Sequence, residues 1–257
     1  MVTTAEKTWL SGTPKLWVRH PAGSRHCPGC HHPIIERLIA EVVEEMGLAK
    51  DFILVVGVGC YSRAIAVLDF DGIFTAHGRP PDVATAIKRT LRGKPIVMTL
   101  QGDGDCLAIG AEPLMNTVAR AEKITILMIN NLNYGTTGGQ MAPTTLVGQV
   151  TSTTPQGRDP ALTGFPVHAP ESLAAYRGVA YTARGSVHTA ANYQRAKKML
   201  KAALQKQVDN IGLSFLELIS ACPPDWRLNP VESLKFIDEK VIPEYPLGEF
   251  KNLDKLV

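Results

Sequence analysis

The chain has 257 residues, 45% hydrophobic and 20% charged, which suits one large buried core and excludes a disordered or highly solvated class. A formal charge of +3 carried by dispersed Lys and Arg gives no argument for nucleic acid or an acidic surface as the main partner, and none is expected. No window reaches the roughly 18 uncharged apolar residues of a membrane span, and Met1 to Ser24 lacks an apolar core of leader length, so a cytoplasmic protein is expected.

In chain order, residues 1–24 read as an extended arm, followed by His26-Cys27-Pro28-Gly29-Cys30. Five cysteines without a leader fit a secreted disulfide framework poorly, so metal or redox chemistry is the better reading. Ile34, Ile35, Leu38, Ile39, Val42, Val43 and Met46 recur at helical spacing, and Gly47 is the expected stop. Phe52 to Val58 is an apolar run that ends in Gly57-Val58-Gly59-Cys60; Lys94 to Leu100 and Ile124 to Ile129 repeat that form. Helical segments are expected between them, at Val83 to Leu91 and Ala108 to Arg120. Thr136 to Gly157 is a long Gly-, Thr- and Pro-rich loop of the kind that carries function. Leu173 to Tyr181, a helix from about Ala190 to Val208 and a strand from Leu213 to Ile219 lead to Cys222-Pro223-Pro224.

Short buried strands alternating with helices indicate an α/β protein with a doubly wound, mostly parallel sheet, whose ligands bind past the carboxyl ends of the strands. The unusual residues fall at such ends: Cys60, Gly102-Asp103-Gly104-Asp105 and Asn130-Asn131. With no repeat, low-complexity tract or linker, residues 1–257 are expected to form a single domain with an N-terminal arm, cluster-binding loops and a C-terminal tail.

The stretch from Gly102-Asp103-Gly104 to Asn130-Asn131 resembles the thiamine-diphosphate signature. Holding a diphosphate needs a hard divalent ion with oxygen ligands. Asp103 offers a carboxylate and Asn131 an amide oxygen, and the resemblance adds the carbonyl of Asn133 as the third Mg2+ ligand. Gly102 and Gly104 allow close approach of the phosphates, and the following helix turns its N-terminal amides toward them. The competing reading of the tetrapeptide alone is an ordinary strand-turn-helix connection.

Tyr134-Gly135-Thr136-Thr137-Gly138-Gly139-Gln140-Met141-Ala142-Pro143-Thr144-Thr145 resembles the YGMTGGQ-SPTT block of the β subunits of 2-oxoacid:ferredoxin oxidoreductases. CPGC, the GVGC loop, Ala76-His77-Gly78-Arg79 and the late ACPPDW follow in that family's order, over roughly residues 25 to 230. The resemblance implies a thiamine-diphosphate-binding fold and one [4Fe-4S] cluster on Cys27, Cys30, Cys60 and Cys222. Four thiolates also suit zinc, which spacing does not separate from iron and sulfide, although zinc would give the chemistry no electron acceptor. Further cofactor contacts are implied for Gly59, Cys60, His77, Gly78, Arg79, Asp105, Tyr134, Gly135 and Thr137. His77 and Arg79 would hydrogen-bond or neutralise charge near the diphosphate or substrate, or else form a surface turn around Gly78. Arg63 would take the 2-oxoacid carboxylate or lie solvated on the surface, and Thr136 is a further candidate for substrate contact. Cys106 reads as a packing residue.

The activity implied is oxidative decarboxylation of a 2-oxoacid to acyl-CoA and CO2, with electrons passing to ferredoxin. Pyruvate, 2-oxoglutarate and branched-chain 2-oxoacids are all open as substrates. The glutamate that activates thiamine diphosphate matches no motif here, so the resemblance places it on a partner. A complex is therefore expected with α/γ/δ-type subunits, one completing the thiamine site and one ferredoxin-like. The rival readings are a non-redox thiamine-dependent carboligase, which leaves the cysteines unexplained, and an electron-transfer protein, which leaves the diphosphate ligands unexplained. His26 and His31-His32 beside CPGC, and Pro81-Asp82, depart from the family pattern without removing a ligand. The tail from Pro230 to Val257 resembles the closing segment of these subunits and is expected to pack on the body or on a neighbour.

Overall fold

The computed structural model describes residues 12–18 and 26–256; the parts of the expected arm at 1–11 and 19–25 lie outside the described residues, as does Val257. Seven strands form the main sheet: β1 (Phe52–Val56), β2 (Asp71–Phe74), β3 (Ile96–Gly102), β4 (Thr125–Asn130), β7 (Val179–Ser186), β8 (Leu213–Ile219) and β9 (Gly248–Asn252). Between β4 and β7 lies a two-stranded hairpin, β5 (Asn133–Tyr134) with β6 (Gln140–Met141). The sheet order is β2-β1-β3-β4-β8-β7-β9, parallel throughout except for β9, which runs antiparallel to β7. From β1 the chain passes to β2 on one side, and β3 lies on the other. The carboxyl ends of β1 and β3 therefore flank a switch point of the topology, the usual crevice for a ligand in such sheets.

The helices are α1 (His32–Glu45), α2 (Pro80–Thr90), α3 (Ala111–Ala119), α4 (Pro160–Thr163), α5 (Ala169–Ala174), α6 (Ala190–Val208), α7 (Pro223–Trp226), α8 (Pro230–Phe236) and α9 (Ile242–Glu244). Ile35, Leu38, Ile39, Val42 and Val43 of α1 and Leu200, Ala203 and Leu204 of α6 pack on one sheet face, against Leu54, Met98, Leu100 and Leu216. Ala84 of α2, Leu114 and Val118 of α3 and Leu173 of α5 cover the other, against Val55, Val97, Ile126, Met128 and Phe215. Burying each large aliphatic side chain contributes about 2 kcal/mol, so these two layers supply most of the driving force. A third cluster, Leu132, Ile219, Ala221, Ile237, Val241 and Tyr245, sits beneath the strand ends and brings the C-terminal segment onto the body. Among the described residues no helix is long and apolar enough to cross a membrane.

The expected elements appear with shifted ends. Pro80 and Pro81 occupy the first turn of α2, where a missing N–H is harmless, so the helix starts earlier than Val83. The expected helix from Ala108 is split into a widened turn, Asp105–Ile109, and α3, because Gly78 packs against the backbone of Ile109 and Gly110. Three strands escape a hydrophobicity reading. All four β2 residues are exposed at the sheet edge, β9 is mostly half-buried with no fully buried residue, and β7 carries Thr182, Arg184 and Ser186 on a strand buried along its whole length.

Candidate functional site

Asp103, Asn131 and Asn133 arrive from the ends of β3 and β4 and are all buried. With the Asn131 amide oxygen turned inward, it lies 2.8 Å from the Asn133 carbonyl and 3.2 Å from Asp103 Oδ1, with no donor between them. Adjacent ligands of an octahedral ion with bonds of about 2.1 Å stand about 3.0 Å apart, so these spacings suit Mg2+. With the amide nitrogen turned inward, the same positions become two donated hydrogen bonds, so the pocket closes with or without an ion. Asp103 is fixed independently: Oδ1 accepts the Gly104 N–H at 2.8 Å and Oδ2 accepts the Thr144 hydroxyl. Burial pushes its carboxyl up to about 7.

The loop between Asn131 and Asn133 is held on three sides. Leu132 has φ +63, a strained left-handed conformation, yet its N–H donates to Asn130 Oδ1 at 3.0 Å and its carbonyl accepts the Thr145 hydroxyl at 2.6 Å. Trp226 Nε1 donates to the Asn131 carbonyl at 3.0 Å, and the Tyr245 hydroxyl donates to the carbonyl of Thr144 at 2.7 Å. Behind them, Asn130 Nδ2 donates to Glu217 Oε1 at 2.7 Å; Glu217 Oε2 lies 3.0 Å from Arg184 Nε, out of line for a hydrogen bond but within ion-pair range. Arg184 is forked onto Glu171 through two bonds of 2.7 Å. Burial alone would lower the Arg184 guanidinium, but Glu217 and Glu171 raise it, so it stays charged. Sequence reasoning missed Glu217 and Arg184 as supports because both sit inside apolar or mixed strands without a motif. Thr144, Thr145, Trp226 and Tyr245 were visible only as letters of the resemblance.

The other predicted residues separate into two groups. Around the diphosphate candidates, the Asp105 carboxylate is buried and accepts the Gly78 N–H at 2.5 Å and Gln101 Nε2 at 3.1 Å; His77 Nδ1 stands 2.5 Å from Oδ1, out of line for a hydrogen bond. Gly78, at φ +79, allows this approach, since a Cβ there would come within 2.7 Å of the Ile109 backbone. A Cβ on Gly104 would overlap the Tyr134 ring, whose hydroxyl donates to the Gly104 carbonyl at 3.2 Å. Gly102 is approached by the Tyr61 ring, and Gly135 lies against Asn131 and Asp225. Thr137 is engaged within its own turn, donating to Gln140 Oε1 at 2.6 Å. Arg79 is exposed, with Asp82 and Glu112 each at 3.4 Å, so surface acids already neutralise it. Arg63 is exposed on the turn Cys60–Ala66 on the cysteine side, where His32 senses its charge.

The second group gathers the cysteines. Gly29, at φ +78, forms the tip of the CPGC turn, closed by Cys30 N–H to the Cys27 carbonyl at 3.1 Å. That tip packs on Pro223 and Pro230 so closely that a Cβ would lie 2.7 Å from Pro230, which brings the turn to the Cys222 loop. Burial pushes the Cys30 thiol up to about 12, with the charges of Cys60 and Cys27 adding to it. Cys222 is raised by burial first, then by Asp225 and by Cys30. The CPGC turn and the Cys222 loop are thus in contact, and Cys27, Cys30, Cys60 and Cys222 are all free thiols. Among the described residues, however, no three His, Cys, Asp or Glu side chains form a group that could hold a metal ion. The soft sulfur donors suit iron and sulfide, which occupy more space than one ion. Cys106 is fully buried in the core, as a packing residue should be.

Residues 57–218 match the family model for the thiamine pyrophosphate enzyme C-terminal TPP-binding domain. The ketoisovalerate oxidoreductase subunit VorA of Methanothermobacter marburgensis is 37% identical over 232 residues, which are 90% of this chain and 48% of that protein. The 2-oxoglutarate synthase subunit KorB of Methanocaldococcus jannaschii is 34% identical over 222 residues, 84% of this chain and 77% of the other. The chain thus spans about half the length of the VorA relatives it matches. The solved 2-oxoglutarate:ferredoxin oxidoreductase from Magnetococcus marinus, with 2-oxoglutarate, coenzyme A and succinyl-CoA bound, has the same fold: TM-score 0.76 over 95% of this chain and 86% of that one, at 23% identity.

Proposed function

We propose, because this chain belongs to the β subunits of the 2-oxoacid:ferredoxin oxidoreductases, that it binds Mg2+-thiamine diphosphate and one [4Fe-4S] cluster, and that with partner subunits it converts a 2-oxoacid and coenzyme A to acyl-CoA and CO2, passing electrons to ferredoxin. The observation that carries this reading is the convergence of buried Asp103, Asn131 and Asn133 at the strand ends, with four free cysteines on loops beside them and the CPGC turn packed on Pro223 of the Cys222 loop. Bound thiamine diphosphate supplies an electron sink for decarboxylation, and an iron–sulfur cluster supplies an outlet for single electrons.

This chain's own residues do the holding. Asp103, Asn131 and the Asn133 carbonyl are the Mg2+ ligands; Gly102 and Gly104 keep the strand end open, and Tyr134 walls it. Asp105 holds the His77 loop through the Gly78 N–H and faces the imidazole at Nδ1, which leaves Nε2 as the nitrogen available to a substrate. Cys27, Cys30, Cys60 and Cys222 are the cluster ligands. Coordination would deprotonate the raised thiols of Cys30 and Cys222, as metals do to bound thiols. Arg63, which has no acidic partner among the described residues, is assigned to the substrate carboxylate.

The curated relatives act on ketoisovalerate and 2-oxoglutarate, so the substrate belongs to the branched-chain or dicarboxylic 2-oxoacids, with pyruvate the third to be tested. The test is anaerobic co-purification with the partner subunits, followed by 2-oxoacid- and CoA-dependent reduction of ferredoxin. The complex should turn over one substrate of the panel and the isolated chain none. Turnover by the isolated chain, or a complex that decarboxylates without reducing ferredoxin, would overturn the proposal.

A further inference from the structure

Two of the four cysteine sulfurs lie within hydrogen-bond distance of a side chain that can donate to them once they are ligated and carry no proton. The Thr136 hydroxyl lies 3.0 Å from Cys60 Sγ, joining the β5–β6 turn to the loop after β1 across 76 residues of sequence. His32 Nδ1 lies 3.0 Å from Cys30 Sγ and 3.3 Å from Ser220 Oγ, and the His32 backbone also hydrogen-bonds the Cys30 sulfur. Cys222 faces the opposite chemistry: its sulfur meets the Asp225 carboxylate at 3.2 Å, an acceptor. Donors are therefore placed on selected sulfurs.

We propose that the hydrogen bonds from Thr136 to Cys60 and from His32 to Cys30 set the reduction potential of the cluster, holding it higher than its thiolates alone would. The inference rests on the cluster assignment made above. On reduction the cluster takes up one electron, and the added charge spreads onto its sulfur ligands without any bond being made or broken. An O–H or N–H pointed at a sulfur stabilises that charge more than the oxidised state, which raises the potential. The effect is larger where water is excluded. His32 is 3% exposed, whereas Thr136 lies on the surface, so His32 should matter more. Thr136 then acts as a positioning residue toward the cluster.

The test is redox titration followed by electron paramagnetic resonance on the anaerobically purified complex, with iron and sulfide measured alongside. A hydrogen bond worth about 1.4 kcal/mol corresponds to a tenfold shift in a one-electron equilibrium, which is about 59 mV. His32→Leu should lower the midpoint by about that much and Thr136→Val by less. Thr136→Ser and His32→Asn, which keep a donor, should stay near the parent. If H32L loses its cluster through misfolding, the exposed T136V decides alone. Parent iron and sulfide content with an unmoved midpoint in T136V and in a folded H32L would overturn the proposal. A parent complex without iron and sulfide at these cysteines would overturn the functional reading itself, and the proposal with it.

Discussion

Replacing Glu217 by Gln removes one charge from the buried pair behind the Asn131 loop and keeps an oxygen to accept from Asn130. Glu217 and Arg184 are both fully buried, and the variant leaves Arg184 with Glu171 alone. Removing one partner of a buried pair costs about 3–5 kcal/mol. Glu171 still holds Arg184 in a fork, so the low end applies, about 3 kcal/mol. For a chain of this size that is a fall in Tm of about 6–12 °C. Calorimetry of the purified protein measures it. The double variant Arg184→Met with Glu217→Gln leaves the partly exposed Glu171 with only His168, at 3.5 Å, and frees the Pro246 carbonyl, and it should recover at least half the loss. A single variant within about 1 kcal/mol of the parent, or a double variant worse than the single, would refute the reasoning.

Gly104→Ala should push Tyr134 aside and weaken thiamine diphosphate binding at least about tenfold by titration calorimetry, with a smaller change in folding stability. Asp103→Asn should abolish Mg2+-dependent binding while stabilising the metal-free protein by about 1–3 kcal/mol, since it removes a buried anion; a destabilised variant that still binds would contradict both halves. Burial lowers Lys88 from 10.5 to about 8, and its ammonium is held by the Pro95 carbonyl and Gln207 Oε1. Because its folded pKa lies below the unfolded one, the folded state binds fewer protons between pH 8 and 10.5, and stability from this group rises with pH across that window. The raised Cys30 thiol acts in the opposite sense above pH 9. The term is therefore isolated as parent minus Lys88→Met in denaturant titrations, a difference expected to grow by about 3 kcal/mol in the parent's favour and contradicted by a flat one.

The sheet was legible where its strands are apolar on both faces, as in β1, β3, β4 and β8, and where Gly47 and the loop glycines punctuate the helices. It was illegible where tertiary context overrides pattern. β7 is central yet polar because Arg184 answers charges on β8 and α5, while β2 and β9 lie at the edges, where little apolar surface is needed. The diphosphate candidates were legible because Asp103, Asn131 and Asn133 must follow strand ends. Their supports, Glu217, Trp226 and Tyr245, come from 84 or more residues further along the chain, where spacing carries no information.

Anomalous diffraction at the iron edge, from crystals of the anaerobic complex, decides whether a Mg2+-diphosphate site and a four-cysteine cluster lie side by side on these loops. A four-iron peak is expected within Cys27, Cys30, Cys60 and Cys222, beside an octahedral ion on Asp103, Asn131 and Asn133. Iron located elsewhere, or a single ion at the cysteines, would rule this arrangement out.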